Sequence, residues 1–269
     1  MSNPSPAPAP KLSATILLVR DGSTGLEVFM VKRHHQIDFA TGAMVFPGGK
    51  LEDGDSDPRL RARCSGAESL DADALAVRVG AIRETFEESG VLLARPRGSF
   101  SLVTADRLRE IEARWRDRLN ADEAGLIDLA LAEDLELACD LLVPYAHWIT
   151  PEMAPKRFDT WFFLVAAPPD QLALHDGGES VDSVWISPQN ALAECEAGRR
   201  TIIFPTLMNL NLLGLARDLA DALSRTRSRR VVTVLPEIRR TPEGKPELVI
   251  PPEAGYPPLP PALAKPFLP

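Results

Sequence analysis

Cysteine is scarce and scattered in this chain: Cys64, Cys139 and Cys195 are its three, and none belongs to a C-x-x-C pair. That argues against a disulfide framework and a cysteine-based zinc site, and it fits free thiols in a reducing compartment. Long apolar runs are missing too. No stretch approaches the roughly 18 apolar residues that span a bilayer, so no membrane partner is expected. Residues 1–10 alternate proline with small residues and lack both a basic start and an apolar run. They read as neither a signal nor a transit peptide, and a cytoplasmic location is expected. Nor is there an excess of positive charge. With 30 Lys and Arg against 38 Asp and Glu, the net charge is −8. This argues against a nucleic-acid partner, whose binding surface is usually a basic stripe. An anionic small molecule stays compatible, because a bound metal inverts the local field. No internal repeat is found.

What is present suits an ordinary globule, 45% hydrophobic and 25% charged over 269 residues, long enough for one large domain with a sizeable core. Residues 1–10 read as a disordered Pro/Ala tail, 11–250 as the folded domain, and 251–269 as a Pro-rich extension pinned to the surface. Runs at 12–18 and 26–32 flank Asp21-Gly22-Ser23-Thr24-Gly25 and predict a hairpin. A strand over 42–46 leads into Pro47-Gly48-Gly49, and the composition then turns polar and loop-like to about residue 71. Helical patterning recurs over 104–119 and 122–139, and strand patterning over 142–148, 160–166 and 181–186. Ser187-Pro188 opens a short helix. A long amphipathic helix is expected over 204–224, and a terminal hairpin from 231–235 and 248–250.

Chemistry concentrates in Arg83-Glu84-Thr85-Phe86-Glu87-Glu88-Ser89-Gly90-Val91. Asp71 is a suitable N-cap and Gly90 a suitable terminator for a helix that carries this segment. On such a helix Glu84, Glu87 and Glu88 fall within a sector roughly 100° wide. Leu75, Val79, Ile82 and Phe86 take the opposite side. Gly80 inside the helix marks a break or close packing. Adjacent like charges at helical spacing need neutralising, and a hard divalent cation that prefers oxygen ligands would do so.

With Phe46-Pro47-Gly48-Gly49 and Glu52 ahead of it, this segment resembles the Nudix box, G-x5-E-x7-R-E-U-x-E-E-x-G-U, where U is a bulky aliphatic residue. The resemblance implies an α/β (α+β) fold. Its core is an α/β/α sandwich around a mixed β-sheet, with an added C-terminal helix and strands. It also implies a hydrolase of nucleoside-linked diphosphates that uses Mg²⁺ or Mn²⁺. Three departures stand out. Asp55 occupies the first glutamate position, Thr85 an aliphatic one, and residues 56–82 number 27 where the motif has seven. An insertion over about 56–75 therefore splits the box, and a loop there is expected to bulge outward.

By the same resemblance Glu84, Glu87 and Glu88 carry metal, and Glu84 also helps to activate water. Arg83 orients a box glutamate through a charge-assisted pair, and Gly49 offers its carbonyl to a metal. Several Nudix enzymes take a general base from a later loop. Glu179 is the candidate here, with an ordinary polar loop residue as the alternative.

The split box, His147-Trp148-Ile149-Thr150-Pro151 and Arg157-Phe158-Asp159-Thr160-x-Phe162-Phe163 resemble one subgroup, the nucleoside diphosphate-linked moiety X motif 19 proteins. These act as coenzyme A and acyl-CoA diphosphatases, so a CoA-type substrate is implied, cleaved to 3′,5′-ADP and (acyl-)phosphopantetheine. Its 3′-phosphate requires cations. Arg33, His34, His35, Lys156 and Arg157 are candidates, with Arg157 favoured. Trp148 and Phe158 are candidates to line an adenine or arm pocket. Two readings compete, a broader ADP-ribose or dinucleotide pyrophosphatase and a Nudix-fold sensor that binds a nucleotide without cleaving it. A monomer and a homodimer are both compatible.

Overall fold

Ala14-Thr15-Ile16-Leu17-Leu18-Val19 forms the spine of the molecule. In the computed structural model, which describes residues 8–33, 42–171, 173, 180–240, 244 and 246–263, this run lies in β1 (Lys11–Gly22). Ile16 and Leu18 turn into one core and Leu17 and Val19 into another. A strand buried on both faces reads as a continuous apolar run, as this one does. β2 (Gly25–Arg33) returns antiparallel, with Gly22 opposite Gly25, as the hairpin signal predicts. β3 (Met44–Val45) pairs with β2, and β4 (Gly48–Lys50) pairs with β1 so that Gly49 faces Ala14.

The chain continues through α1 (Ala72–Ser89), β5 (Ala94–Pro96), α2 (Ala105–Asn120), α3 (Leu126–Ala132) and β6 (Leu135–Leu137). Next come β7 (Val143–Ile149), β8 (Phe158–Ala166), β9 (Ser180–Ile186), α4 (Pro188–Glu196), α5 (Phe204–Leu213) and α6 (Leu219–Ser228). β10 (Thr233–Val234), β11 (Glu237–Arg240) and β12 (Pro246–Val249) follow. Among the described residues the main sheet has eight strands with the path β10-β7-β8-β1-β2-β3; β4 adds to β1 and β9 to β2. It is mixed: β1–β8 and β7–β10 are parallel and the other pairs antiparallel. Residues of α1, α2 and α3 build the core on one face, and residues of α4, α5 and α6 the core on the other. The architecture is the expected α/β/α sandwich.

α1 forms where its sequence says it should. The Asp71 carboxylate accepts the Ala74 N–H at 2.7 Å, and Gly90 closes the helix in the left-handed region at φ 71°; such an N-cap stabilises by about 1 kcal/mol. Leu75, Val79, Ile82 and Phe86 are buried against the sheet, each gaining roughly 1.5–3 kcal/mol from burial. Thr85, in an aliphatic position of the motif, is fully buried because its hydroxyl donates to the Ala81 carbonyl at 2.7 Å.

Four expectations need correction. The helix foreseen over 122–139 stops at Ala132, because Asp134 turns left-handed at φ 49° and Leu135–Leu137 pairs with β5. The helix foreseen over 204–224 is two, α5 and α6, with Asp218 capping the second through the Asp221 N–H at 2.8 Å. Thr233–Val234 joins β7 rather than a hairpin, and the hairpin is β11 with β12. The box insertion does not merely bulge. Its 3₁₀ helix Pro58–Arg63 drops Leu60 into the core beside Cys64 and Ala67, and Arg61 ties the following turn through the carbonyls of Ala67 and Leu70. Among the described residues no helix is long and apolar enough to cross a membrane.

Candidate active site

α1 lies across β4, so the two halves of the box meet face to face. A Cβ on Gly49 would stand 2.4 Å from Glu84 Oε1, and one on Gly48 2.3 Å from the Ala14 carbonyl oxygen. Only residues without side chains allow this approach. The Gly48 N–H donates to Glu88 Oε2 at 2.8 Å, fastening the helix to the loop.

Arg83 is the hub. Its guanidinium gives Nε to Asp55 Oδ1 at 2.9 Å and Nη2 to Asp55 Oδ2 at 3.0 Å. Nη1 reaches Glu87 Oε2 at 2.8 Å, Glu84 Oε1 at 3.2 Å and Glu52 Oε1 at 3.2 Å, and Nη2 also meets the Lys50 carbonyl at 2.9 Å. Burial by itself would lower the Arg83 pKa; the hydrogen bond to Asp55 and the charges of Glu84, Asp55 and Glu87 outweigh it and raise it. A fork that serves several carboxylates needs the fixed donor geometry of arginine. From α2, Arg116 Nε donates to the Glu87 carbonyl at 2.9 Å and covers the open end of the helix.

The carboxylate face of α1 is largely covered. Glu87 and Glu88 are buried and Glu84 is half-buried. Burial pushes Glu87 up to about 8, with Arg83 opposing and Glu84 and Glu52 adding to the rise. Among the described residues Glu87 Oε1 is buried with no hydrogen-bond partner, a costly state for a carboxylate oxygen. Among the described residues no three acidic, His or Cys side chains stand already grouped for a metal: Arg83 draws in Glu84 and Glu87, and Gly48 holds Glu88. The donor set itself, hard oxygens with one orphaned, fits a divalent cation such as Mg²⁺ or Mn²⁺.

Across the sheet, Gly49, Ala14, Trp161 and His147 are successive cross-strand neighbours on the α1 side. Trp161 is half-buried there. His147 stacks on it at 4.2 Å between ring centroids and is held by Asp159 through Nε2 and by Thr233 Oγ1 at 2.8 Å through Nδ1. Beside the box opens a cleft of ≈ 560 Å³ walled by Lys11, Leu12, Lys50, Leu51, Glu52 and Asp53, among others.

A model of the NUDT19 Nudix domain matches residues 60–213. The chain belongs to the Nudix hydrolases. This Nudix hydrolase is 27% identical over 236 residues to the acyl-coenzyme A diphosphatase NUDT19 of Xenopus laevis, covering 72% of itself and 61% of that relative. It is 29% identical over 197 residues to the putative nudix hydrolase 7 of Caenorhabditis elegans, covering 72% of itself and 58% of that protein. It thus spans about six tenths of the length of these relatives. Among solved structures, a NUDIX hydrolase from Alicyclobacillus acidocaldarius superposes with a TM-score of 0.64 at 26% identity, over 80% of this chain and 96% of that one.

The Nudix hydrolase thus brings Gly49, Arg83, Glu84, Glu87 and Glu88 together. Trp148 does not join them. It is buried in the core on the opposite face, where its indole N–H donates to the Tyr256 hydroxyl at 2.8 Å and its ring meets Phe204 and Tyr256 edge-on; it offers no surface to a substrate. Phe158 opens β8 on that same opposite face, in step with Phe162 and Leu164. Arg157 is occupied by the carbonyls of Thr150 and Pro8, both at 3.0 Å, and Lys156 is exposed in the preceding loop. Glu179, His34, His35 and the side chain of Arg33 lie outside the described residues. Four neighbours of the cluster had no site role assigned from the sequence. Asp55, at its motif distance from Gly49, and Glu52 were named with the box but given none. Arg116 and Trp161 carried no signal, and Trp161 stood as the unassigned x of its motif.

Proposed function

We propose that the chain is a metal-dependent diphosphatase that converts CoA or acyl-CoA to 3′,5′-ADP and (acyl-)phosphopantetheine. The observation that carries this reading is the cluster of Glu84, Glu87 and Glu88 around Arg83 and against Gly49. Its support on the substrate side is the kinship with proteins named acyl-coenzyme A diphosphatase. Glu84, Glu87, Glu88 and the Gly49 carbonyl would hold Mg²⁺ or Mn²⁺, which supplies charge neutralisation on the diphosphate oxygens and acidifies a bound water.

The chain's own residues do the remaining work. Arg83 steers Glu84 and Glu87 with charge-assisted hydrogen bonds, and Asp55 fixes Arg83 from behind. Glu84 is the least covered of the three helix carboxylates, and we assign it to draw the proton from the attacking water, with Glu179 as the alternative base. The water oxygen bonds to one phosphorus while the bridging oxygen leaves with the other, so two phosphomonoesters result. Trp161, its rotamer held by His147, supplies a flat face on the same side of the sheet for a base or the pantetheine arm. The free thiols support work in the cytoplasm.

The test is incubation with Mg²⁺ and, separately, CoA, an acyl-CoA, NADH and ADP-ribose, with products identified by mass. Release of 3′,5′-ADP from CoA or its thioester is expected. Turnover of ADP-ribose but not of CoA would overturn the substrate assignment, and nucleotide binding without any turnover would favour the sensor.

A further inference from the structure

A CoA-type substrate carries an anionic group apart from its diphosphate, and Arg157 is committed to two backbone carbonyls. The cleft beside the box has two other cations on its wall, Lys11 and Lys50. Ser13 pairs with Lys50 across β1 and β4. Lys11, two residues before Ser13, is thus the diagonal neighbour of Lys50 on one face of the sheet, at a typical spacing of about 7–8 Å. Both are exposed, and among the described residues neither is in an ion pair.

That is unusual company in a chain of net charge −8, where the arginine at the box serves four carboxylates. As diagonal neighbours with long side chains, the two lysines can both bring their ammonium groups to one phosphate. Their backbones are fixed as well. The Lys11 N–H donates to the Arg157 carbonyl at 2.9 Å, and the Lys50 carbonyl accepts Arg83 Nη2 at 2.9 Å. One lysine is therefore registered to β8 and the other to the reaction centre. Gly49 turns its side-chain direction toward Glu84, so Lys50, the next residue in the strand, turns the other way. The pair therefore stands on the sheet face away from the carboxylates, the face of Phe158. A second phosphate would reach it past the ends of β1 and β4, where the cleft that Glu52 and Asp53 also line borders the box.

We propose that Lys11 and Lys50 form the subsite for the 3′-phosphate of the nucleotide, an inference that rests on the CoA-type reading above. Arg157 then acts through Lys11, by holding the strand end that carries it.

The experiment compares kcat/KM for CoA and for 3′-dephospho-CoA in the wild type, Lys11→Ala, Lys50→Ala and the double variant. In parallel, calorimetry measures binding of 3′,5′-ADP and of 5′-AMP. Each alanine is expected to cut the preference for the 3′-phosphorylated substrate roughly tenfold, the loss of one hydrogen bond to a charged group, and arginine at either position to restore most of it. The preference for 3′,5′-ADP over 5′-AMP should narrow in step. A preference that stays intact, whether both substrates weaken together or neither does, overturns the subsite. If the wild type hydrolyses neither substrate yet binds 3′,5′-ADP better and loses that margin in the variants, the function is wrong and the subsite stands.

Discussion

Asp55 grips Arg83 through both carboxylate oxygens, at 2.9 Å and 3.0 Å, from the far side of the inserted segment. The grip is possible because α1 carries Gly80 at the point of contact. A Cβ there would stand 2.9 Å from Asp55 Oδ2 and 3.2 Å from Leu51 Cγ. Asp55 has no room to yield, since the Glu52 N–H also binds its Oδ2 at 2.9 Å.

Gly80→Ala should therefore destabilise the protein. In an open helix interior the change would add about 1 kcal/mol of stability. Here overpacking is expected to reverse the sign, leaving a net loss of about 1–2 kcal/mol. Urea denaturation measures it, and a gain in midpoint would refute the packing argument.

Gly49→Ala should spare the fold and damage the chemistry, because the new methyl falls on Glu84 Oε1. Displacing a catalytic carboxylate by about 1 Å is expected to lower kcat/KM roughly a hundredfold. Activity within a factor of about two of wild type would mean that Glu84 has no positional role.

Glu87→Gln should abolish hydrolysis, with kcat down roughly a hundredfold or more, while circular dichroism stays native. Near-normal turnover would refute the assignment of Glu87 to the metal.

The same residue gives the metal-free protein a pH signature. Its carboxyl is raised from 4.5 to about 8, chiefly by burial. Between those values the folded state keeps a proton that the unfolded chain has released. The Glu87 contribution is thus fully present below about 4.5 and is lost as the pH rises to about 8. Thermal melts in EDTA across this window should decline with pH, and saturating Mg²⁺ or Glu87→Gln should flatten the decline. A flat profile in the EDTA-treated wild type would be the contrary result.

Leu60→Ala should cost about 2–5 kcal/mol although the residue lies in the insertion, because its side chain is 1% exposed in the main core. A cost below about 0.5 kcal/mol would return the insertion to the status of a surface loop.

What was legible in the sequence was local or countable. The caps Asp71 and Gly90 and the apolar stripe of α1 obey short-range rules, and Asp55 lies at its motif distance from Gly49. What was not legible depended on register. Trp148 and Trp161 look equivalent as strand aromatics, yet they sit on opposite faces of the sheet, and β7 carries an irregularity between Pro144 and Ala146 that no residue pattern announces. The burial of Leu60 was hidden for another reason. A 3₁₀ helix of six residues is too short to print an amphipathic period.

The parallel pairing of Lys11–Val19 with Phe158–Ala166 also sets the order of events at birth. β1 can find β2 as soon as the hairpin is made, but its other edge stays unpaired until β8 has been synthesised. Loop closure on that scale is slow. Through most of translation the central strand of the main sheet is an open edge, the kind of surface that chaperones cover and that aggregates when they do not. The carboxylate cluster rests on Gly48 and Gly49 of the strand that pairs with β1, so catalytic competence should arrive late, in one step with the closing of the sheet.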